Sequence, residues 1–358
     1  MEWRRAMQRR QWLKQSGAGV LATAAGFHAN ASQAGKPIRV GQIGVSHAHA
    51  SKLSVYRASK DYEVVGLVEP DDNLWNASQK QDAFRGLKRL TRDELLNTPG
   101  LQAVVVETHV KDLLENAEAC VRAGKHVHID KPAGESLPQL QRILDVAKKQ
   151  KLMVQMGYMY RYNPGVVLLR EFLKKGWLGE VFEVHTVMSK VVPAPERARL
   201  AFSRGGMMFE LGCHITDLVV GILGRPTSVQ GFAQHASAIK DNLMDNMLAV
   251  LTYPRAIASI KSSAMEVDGG SRRHLLVCGT EGTFQIEPLD NPAVKLTLSQ
   301  PRGEYKRGAQ EIKLPKYTRY VDDARDMACV IRGEKEFEFS YEHDFAVQET
   351  LLKACCLS

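Results

Sequence analysis

Residues 38–49 read IRVGQIGVSHAH, and this stretch decides the fold of the first half of the chain. Residues 38–43 form a short apolar run of the kind that becomes a strand buried on both faces. Gly44 then supplies a tight turn, and a helical pattern follows. A strand, a glycine turn and a helix start in this order are typical of dinucleotide-binding α/β domains.

The same alternation of strand and helix patterns continues after this unit. Apolar runs predict strands, and the helical spacing between them predicts helices on both faces of a parallel sheet. We therefore expect a doubly wound, Rossmann-type domain over residues 35–156. The predicted strands are 38–43, 64–68, 103–106 and 126–129, and the predicted helices are 53–58, 74–84, 112–123 and 137–147.

After residue 156 the order of the patterns changes. Closely spaced strands with turn signals between them favour antiparallel pairing. We expect a C-terminal α/β domain, residues 157–358, with an open, mostly antiparallel sheet. The predicted strands are 181–190, 227–233, 247–253, 256–263, 273–278 and 282–286, and the predicted helices are 164–175, 206–223, 320–331 and 343–356.

Length and composition exclude several classes of protein. The 358 residues are 44% hydrophobic and 25% charged, which is ordinary for a globular protein with room for two domains. The six cysteines form no CxxC pair, so neither a zinc knuckle nor a disulfide framework is indicated. Half of the net charge of +8 lies in residues 1–34, and the rest is interspersed with acids, so no nucleic-acid partner is expected.

Residues 1–34 have the pattern of an export signal. Arg9 and Arg10 precede a weakly apolar stretch at residues 16–27, and small residues follow, which is the order of a twin-arginine signal. That stretch is shorter than the roughly 20 residues that a membrane-spanning helix needs. We expect a periplasmic protein that has no membrane contact after processing; a disordered basic tail is the alternative.

The glycine fingerprint of the first turn is incomplete. The pattern GxGxxG lets bare backbone approach a pyrophosphate at a helix start. Only Gly44 matches it, because Ser46 and His49 stand where the second and third glycines belong. Glu69 follows the second predicted strand, near the spacing at which an acid bonds the ribose hydroxyls. A carboxylate there repels a 2′-phosphate, so Glu69 favours NAD over NADP.

Three motifs follow in a specific order: AGKHVHIDKP at 123–132, GYMYRYNP at 157–164 and GGMMFELGCHITD at 205–217. In this order they resemble the Gfo/Idh/MocA family, which includes glucose-fructose oxidoreductase and inositol dehydrogenase. The resemblance spans roughly residues 37–356. It implies a Rossmann domain followed by a mostly antiparallel α/β domain, in agreement with the patterns above.

The resemblance also implies a catalytic set. Lys131 matches the lysine of the family's Glu-Lys-Pro motif, which lies beside the nicotinamide and the reacting hydroxyl, and Asp130 replaces the usual glutamate. Glu210 and His214 match the family's Asp-x-x-x-His pair, and helical spacing of four places both on one face. An imidazole suits the acceptance of the hydroxyl proton as hydride leaves. Without the motifs, these residues would be read as a surface lysine and an exposed ion pair.

Further residues are expected around the cleft. Histidines near the strand ends, His47 among them, would donate to phosphate or, with a further ligand, hold a metal; His-x-His alone cannot complete a metal site, and we predict none. The predicted substrate-binding residues are Tyr158, Arg161 and Asp217. The predicted cofactor-binding residues are Gly44, Ser46, His47, Glu69, Thr108, His109, Asp130 and Lys131.

We interpret the sequence as that of an exported NAD(P)-dependent oxidoreductase with tightly bound NAD. It would act on a CH-OH group of a sugar, polyol or glycoside by hydride transfer to nicotinamide. A glycosidase or lyase that recycles its bound NAD is the first alternative, and a noncatalytic sugar-binding relic is the second. The resemblance implies a homo-oligomer, a dimer or a tetramer.

Overall fold

Five parallel strands form the sheet of the first half, in the order β2-β1-β3-β4-β5. The computed structural model describes residues 35–201 and 203–357, so residues 1–34, where the export signal is predicted, lie outside the described residues. The strands are mostly apolar and buried, as expected of a sheet covered on both faces. Their bounds are β1 Ile38–Ile43, β2 Tyr62–Val68, β3 Ala103–Val106, β4 His126–Ile129 and β5 Val154–Met156.

A short backbone bridge extends this sheet beyond β2. The amide of Leu67 donates to the carbonyl of Lys88 (2.9 Å), and the amide of Leu90 donates to the carbonyl of Leu67 (2.9 Å). The segment around Arg89 therefore runs parallel to β2. With this segment counted, the sheet has the strand order of dinucleotide-binding folds, in which the crevice opens where the order reverses, between β1 and β3. The predicted Rossmann-type sheet is confirmed.

The helices of the first half follow local capping signals. Thr91 and Glu94 form a reciprocal capping box that starts α3, a helix too short for periodicity to predict. The helix predicted at 74–84 ends at Ser78, because the side chain of Gln79 bonds the backbone of the turn that follows. The bounds are α1 Leu53–Ala58, α2 Asp72–Ser78, α3 Arg92–Leu96, α4 Val110–Arg122 and α5 Leu137–Gln150.

Eight strands form the sheet of the second half, in the order β13-β12-β11-β10-β6-β9-β8-β7. Residues 181–286 supply the six predicted strands, and β12 and β13, which follow them along the chain, were not predicted. The bounds are β6 Val181–Val187, β7 Ser228–Gln234, β8 Asn246–Tyr253, β9 Ala256–Ser263, β10 His274–Gly279, β11 Gly282–Ile286, β12 Val294–Leu298 and β13 Gly308–Ile312.

One strand pairing in the second sheet is parallel. Strand β6 lies between β9 and β10 and runs parallel to β9, with Val184 opposite Ala258. This pair is the parallel exception that a mostly antiparallel sheet allows. Parallel neighbours need a crossover connection, and the helical segment that follows β6 provides one. The sheet as a whole is mostly antiparallel, as predicted.

The helices of the second half include one interruption that matters for the site. The helix predicted at 206–223 is not continuous: a π-helical turn at Met208–Gly212 precedes the α-helix. The segment after β6, predicted as a loop, contains a helix, α7. The bounds are α6 Pro164–Lys174, α7 Ala194–Leu200, α8 Cys213–Leu223, α9 Val321–Ile331 and α10 Tyr341–Ala354.

Two apolar clusters form the interior. The larger one extends through both sheets. The smaller one joins a face of the parallel sheet to α9, where Met327 packs in the same cluster as Val40 and Leu53. The domain boundary at residue 156 stays a prediction, because α9 packs on the first sheet from far along the chain. Among the described residues, we find no helix with the length and apolar character to cross a bilayer.

Candidate active site

A cavity of about 900 Å³ opens at the carboxyl ends of β1, β2 and β3. Parallel-sheet domains bind ligands at this edge, where the turns after adjacent strands diverge. The volume is at the upper end of the roughly 300–1,000 Å³ that is usual for ligand sites. The structure brings five of the predicted cofactor-binding residues to its wall: Gly44, Ser46, Glu69, Thr108 and His109.

Gly44 allows two chain segments to approach each other closely at this wall. Its φ is +87°, a left-handed conformation that favours glycine. A Cβ atom on Gly44 would lie 2.7 Å from the backbone of Thr108. The first glycine of the fingerprint is therefore required by backbone conformation and by space, although the other two positions are occupied by larger residues.

Glu69 is fixed beside Gly44 in the wall of the cavity. Its carboxylate accepts from the amide of Val45 (3.2 Å) and from the amide of Asp71 (3.1 Å). The nearby guanidinium of Arg89 bonds the carboxylate of Asp72 (2.7 Å) and backbone carbonyls. Asp72 thus neutralises the charge of Arg89 at this end of the cavity, and the carboxylate of Glu69 makes the surface there acidic.

Below the cavity lies a buried polar cluster of Lys52, Glu107, His128 and Asp130. The ammonium of Lys52 is 2.6 Å from Asp130 Oδ2, 3.0 Å from Glu107 Oε1 and 3.0 Å from His128 Nε2. All four side chains are almost completely buried. They meet because Glu107 and Asp130 each follow a buried strand, β3 and β4, at the same edge of the sheet.

Protonation within the cluster balances its charges. Burial would lower the pKa of Lys52, but Asp130 and Glu107 raise it above its usual value. Burial, together with the negative charge of Asp130, raises the pKa of Glu107 well above its ordinary range. Burial would raise the pKa of Asp130, but the charges of His47 and Lys52 outweigh burial and hold this pKa well below its ordinary value. Burial, with Lys52, lowers the pKa of His128 to about 3. An ammonium thus faces one carboxylate, one carboxylic acid and one neutral imidazole.

His47 and His49 both contact Asp130, but only His49 reaches the open space. His47 is buried, with Nε2 3.1 Å from the carbonyl of Lys131 and Nδ1 3.3 Å from Asp130 Oδ2. Both ring nitrogens of His47 thus lie near protein oxygens, and its donation to a phosphate stays a prediction. His49 Nδ1 lies 3.2 Å from Asp130 Oδ1, and its ring also approaches Tyr320 (5.9 Å between centroids).

Asp130 is the carboxylate that would complete a metal site with the two histidines. The ligand atoms of His47, His49 and Asp130 lie within 4.8 Å of one another. However, the oxygens of Asp130 already accept from the ammonium of Lys52 and from the amide of Lys131, each at 2.6 Å. Lys52 supplies the positive charge that a metal ion would bring, so we assign no metal to this group.

Lys131 connects the two halves of the predicted catalytic set. Its Nζ donates to the backbone carbonyl of Glu210 (2.9 Å) and lies 3.6 Å from Glu210 Oε1. Lys131 is buried, whereas the Glu210 side chain is 14% exposed. Burial opposes both charges, but each charge stabilises the other, so the pKa of Lys131 is raised and that of Glu210 is lowered. The pair is therefore a charged one.

The π-helical turn explains how Lys131 reaches this carbonyl. In such a turn the backbone bonding differs from the regular α-helical ladder, and π turns are frequent at functional sites. The carbonyl of Glu210 accepts from Lys131 and from the Sγ of Cys213. The prediction that Glu210 and His214 share a face of one regular α-helix is thus corrected: Glu210 lies in the π turn, and His214 lies in α8.

His214 lies among aromatic rings next to this pair. Its ring centroid is 5.2 Å from that of Tyr160, 6.1 Å from Tyr158 and 6.2 Å from His49. Burial, followed by the charge of Lys131, lowers the pKa of His214 well below its ordinary value, so the imidazole is neutral. Its buried Nδ1 has no hydrogen-bond partner within residues 35–201 and 203–357.

The predicted substrate-binding residues have a different role in the structure. Arg161 bonds Asp217 (2.6 Å) and Asp344 (2.6 Å), and all three are buried. Tyr158 is also buried, under the guanidinium of Arg161. A hydrogen-bonded ion pair of this kind fixes α10 against α8. Contact of Arg161 and Asp217 with a substrate is therefore corrected to a structural role.

Some residues of the site were not predicted from the sequence. Lys52 reads as an ordinary helix lysine, and Tyr320 reads as the first residue of the helix predicted at 320–331. Glu107 carried a usable signal, since a charged residue directly after a buried strand lies at the ligand-binding edge of a parallel sheet. Tyr320 closes the space beside His49, and Lys52 lies 5.1 Å from the centre of its ring.

Two domains of one protein family match the chain. The oxidoreductase family with an NAD-binding Rossmann fold matches residues 38–158, and the GFO/IDH/MocA C-terminal domain matches residues 166–285. The chain belongs to the Gfo/Idh/MocA family. This membership makes it an oxidoreductase-family protein, in agreement with the sequence interpretation. Lys131, Glu210 and His214 of this Gfo/Idh/MocA chain converge at one place.

Among relatives of this Gfo/Idh/MocA protein, an uncharacterized oxidoreductase of Escherichia coli, YhhX, is 28% identical over 59% of the chain and 60% of its own length. Myo-inositol 2-dehydrogenase of Thermotoga maritima is 22% identical over 74% of the chain and 79% of its own length. The structure of GenD2 from gentamicin A biosynthesis in complex with NAD shares the fold, with a TM-score of 0.74 and 21% identity, over 95% of this chain and 97% of that one.

Proposed function

We propose that the protein is an exported, NAD-dependent dehydrogenase that oxidises a hydroxyl group of a sugar, polyol or glycoside. The contact between Lys131 and Glu210, with His214 beside it, carries the proposal. It brings an amine that follows strand β4 together with an imidazole on helix α8, and these are the two groups that alcohol oxidation requires. The printed activity of the inositol dehydrogenase relative supports a polyol or sugar substrate.

The oxidation breaks the O–H bond of the hydroxyl group and the C–H bond of the carbon that carries it, and it forms a carbonyl. Bound NAD supplies the nicotinamide ring that accepts the hydride with its two electrons. The ammonium of Lys131 stabilises negative charge that develops on the oxygen. The neutral imidazole of His214 accepts the hydroxyl proton, since its low pKa leaves it unprotonated. Glu210 holds Lys131 in place and keeps it charged.

The residues of the cavity fit an adenine dinucleotide. Gly44 permits close approach of the backbone, and Glu69 offers a carboxylate to ribose hydroxyls. A 2′-phosphate would meet Glu69, while the guanidinium of Arg89 is bound to Asp72. These contacts favour NAD over NADP. Tight retention of NAD follows for an exported enzyme, because free NAD is scarce outside the cytoplasm.

The central test is NAD reduction by the purified protein with a panel of sugars and polyols. Lys131→Ala is expected to abolish turnover and to leave the circular dichroism spectrum unchanged. Lys125→Ala is the matched control, because Lys125 precedes the same strand at its other end, where it bonds the carbonyl of Leu101. Retention of most activity in Lys131→Ala would remove Lys131 from the mechanism.

Mass spectrometry of the denatured protein tests cofactor retention directly. We expect about one NAD for each chain purified from the native compartment, and stoichiometric NADH formation with substrate. Turnover without net NADH would replace the dehydrogenase by a cofactor-recycling enzyme. Absence of any nucleotide, together with no binding in titration, would indicate a noncatalytic relic.

The open face of the second sheet supports the proposal of a homo-oligomer. Phe232, Leu248 and Ile257 are 47%, 36% and 59% exposed there, and neighbouring strands bring them onto one face. Apolar exposure of this kind is typical of a protein interface. Light scattering is expected to give the mass of a dimer or tetramer, and Phe232→Glu is expected to shift it towards the monomer.

Export is tested with residues 1–34 fused to a reporter that folds in the cytoplasm. We expect the reporter to reach the periplasm, and a double change of Arg9 and Arg10 to Lys is expected to block it. Export that is indifferent to this change would contradict the twin-arginine route.

A further inference from the structure

A second charged group lies beside His214, at the far end of Tyr160. The ring of Tyr160 packs against the His214 imidazole almost perpendicularly, at 88°. Its hydroxyl donates to Asp290 Oδ1. Tyr160 therefore forms a wall with the proposed proton acceptor at its ring and Asp290 at its hydroxyl.

Two arginines share the single carboxylate of Asp290. Arg273 Nη1 lies 2.7 Å from Oδ2, and Arg319 Nη2 lies 2.6 Å from Oδ1. Two guanidinium groups facing one carboxylate leave an excess of one positive charge. Each guanidinium has five N–H donors, so the two oxygens of Asp290, which also accept from Tyr160, cannot satisfy both.

Arg319 is the member of this group that a ligand can reach. Its side chain is 41% exposed, compared with 13% for Arg273 and 20% for Asp290. The next residue, Tyr320, approaches His49 with its ring, so the segment that carries Arg319 borders the same space as the catalytic set. Arg273 also contributes to the low pKa of His214, which is a further sign of proximity.

The separation suits a small sugar derivative. The arginines and His214 lie at opposite ends of one tyrosine side chain, which is comparable in length to a hexose. We propose that the substrate carries a carboxylate, as in an aldonic or uronic acid, which pairs with Arg319 and Arg273 while its reacting hydroxyl faces Lys131 and His214. A planar carboxylate matches the fork of a guanidinium, and its single charge equals the excess.

This inference rests on the proposed function, and the experiment separates the two. NAD reduction is measured with matched pairs: gluconate against glucitol, and glucuronate against glucose, with glucose 6-phosphate as a third arm. We expect kcat/KM to be at least about tenfold higher for the acid of a pair, since charge-assisted hydrogen bonds are among the strong ones. Arg319→Gln is expected to remove this preference by lowering kcat/KM for the acid much more than for its neutral partner.

Arg142→Gln is the matched control. Arg142 lies on α5, away from the site, where its side chain is 54% exposed and lies 3.5 Å from Glu118 of α4. Equal rates for acids and neutral sugars, or an equal loss for both in Arg319→Gln, would overturn the inference and leave the dehydrogenase intact. A preference for the phosphate would also overturn it.

If no sugar of the panel reduces NAD, calorimetry on the NAD-loaded protein decides the inference separately. Gluconate or glucuronate binding that Arg319→Gln weakens by about tenfold, a change of ~1.4 kcal/mol, would support the carboxylate site even though the proposed activity fails. Absence of binding by both acids would overturn it.

Discussion

The ammonium of Lys52 lies 2.6 Å from Oδ2 of Asp130, and this buried ion pair joins the helical turn after β1 to the residue that precedes Lys131. Lys52→Met would leave the buried carboxylate of Asp130 without the ammonium that faces it. We expect the free energy of unfolding to fall by about 3–5 kcal/mol, as for other broken buried pairs. Urea denaturation measures it.

The double variant Lys52→Met/Asp130→Asn is expected to recover part of this loss, because it also removes the carboxylate that Lys52 faces. Lys148→Met is the control, since Lys148 and Glu342 form an exposed pair that water and salt screen, so its loss should change stability little. A loss below about 1 kcal/mol in Lys52→Met would contradict the charge assignment of the cluster.

Glu69→Gln tests the nucleotide preference. The amide retains a ribose-bonding oxygen but removes the charge that repels a 2′-phosphate. We expect weaker NAD binding and a fall of about tenfold or more in the ratio of NADP to NAD dissociation constants, equivalent to ~1.4 kcal/mol. Fluorescence titration with both nucleotides measures the ratio. Glu115→Gln, on the exposed rim of the same cavity, is expected to leave the ratio unchanged.

His214→Asn tests the proton acceptor. Asparagine has nearly the same shape but cannot accept the hydroxyl proton, so kcat is expected to fall by about 100-fold or more. NAD binding should persist, because the cavity that holds the nucleotide lies at other residues. His185→Asn, at an exposed position of the second sheet, is the control. A variant with nearly full kcat would assign proton acceptance to another group.

Asp323→Asn tests a buried acid near the cluster. Burial raises the pKa of Asp323 to about 7, so the folded protein binds this proton more tightly than the unfolded chain. The stability that it contributes is complete below the unfolded pKa near 3.8 and is lost as pH rises to about 7. Asp323→Asn is therefore expected to increase the free energy of unfolding, compared with the parent protein, by more at pH 8 than at pH 4.

The size of this effect should be on the order of 1.4 kcal/mol for each unit of pKa shift. Melting temperatures of the two proteins across this pH range measure it. Asp322→Asn is the comparison, because Asp322 is exposed on the same helix. If the melting temperatures of both variants respond equally to pH, ionisation of the buried Asp323 side chain does not destabilise the folded protein.

Sequence patterns predicted the parallel sheet well, because its strands are continuous apolar runs. They predicted the second sheet less well. The parallel pairing of β6 with β9 depends on which distant strands meet, and no local pattern carries that information. Strands β12 and β13 were not predicted, although the residues of β12, VKLTL, alternate between apolar and polar as a half-buried strand does.

For the site, motif order predicted Lys131, Glu210 and His214, and the structure brings them together. Arg161 and Asp217 were predicted as substrate ligands because they lie near the cleft in sequence, but their opposite charges make them pair with each other when buried. Lys52 and Arg319 could not be assigned from the sequence. Their roles come from partners 78 and 29 positions away along the chain.

Helix α9 covers one face of the parallel sheet, where the amide of Gln155 donates to the carbonyl of Asp323 and Tyr62 bonds Ala324. During synthesis, the strands of the first sheet are therefore made well before the residues that cover this face. Until α9 docks, this apolar face of the sheet is uncovered and offers a binding surface to chaperones. A transport route that accepts only finished molecules would admit this chain once its C-terminal part had docked.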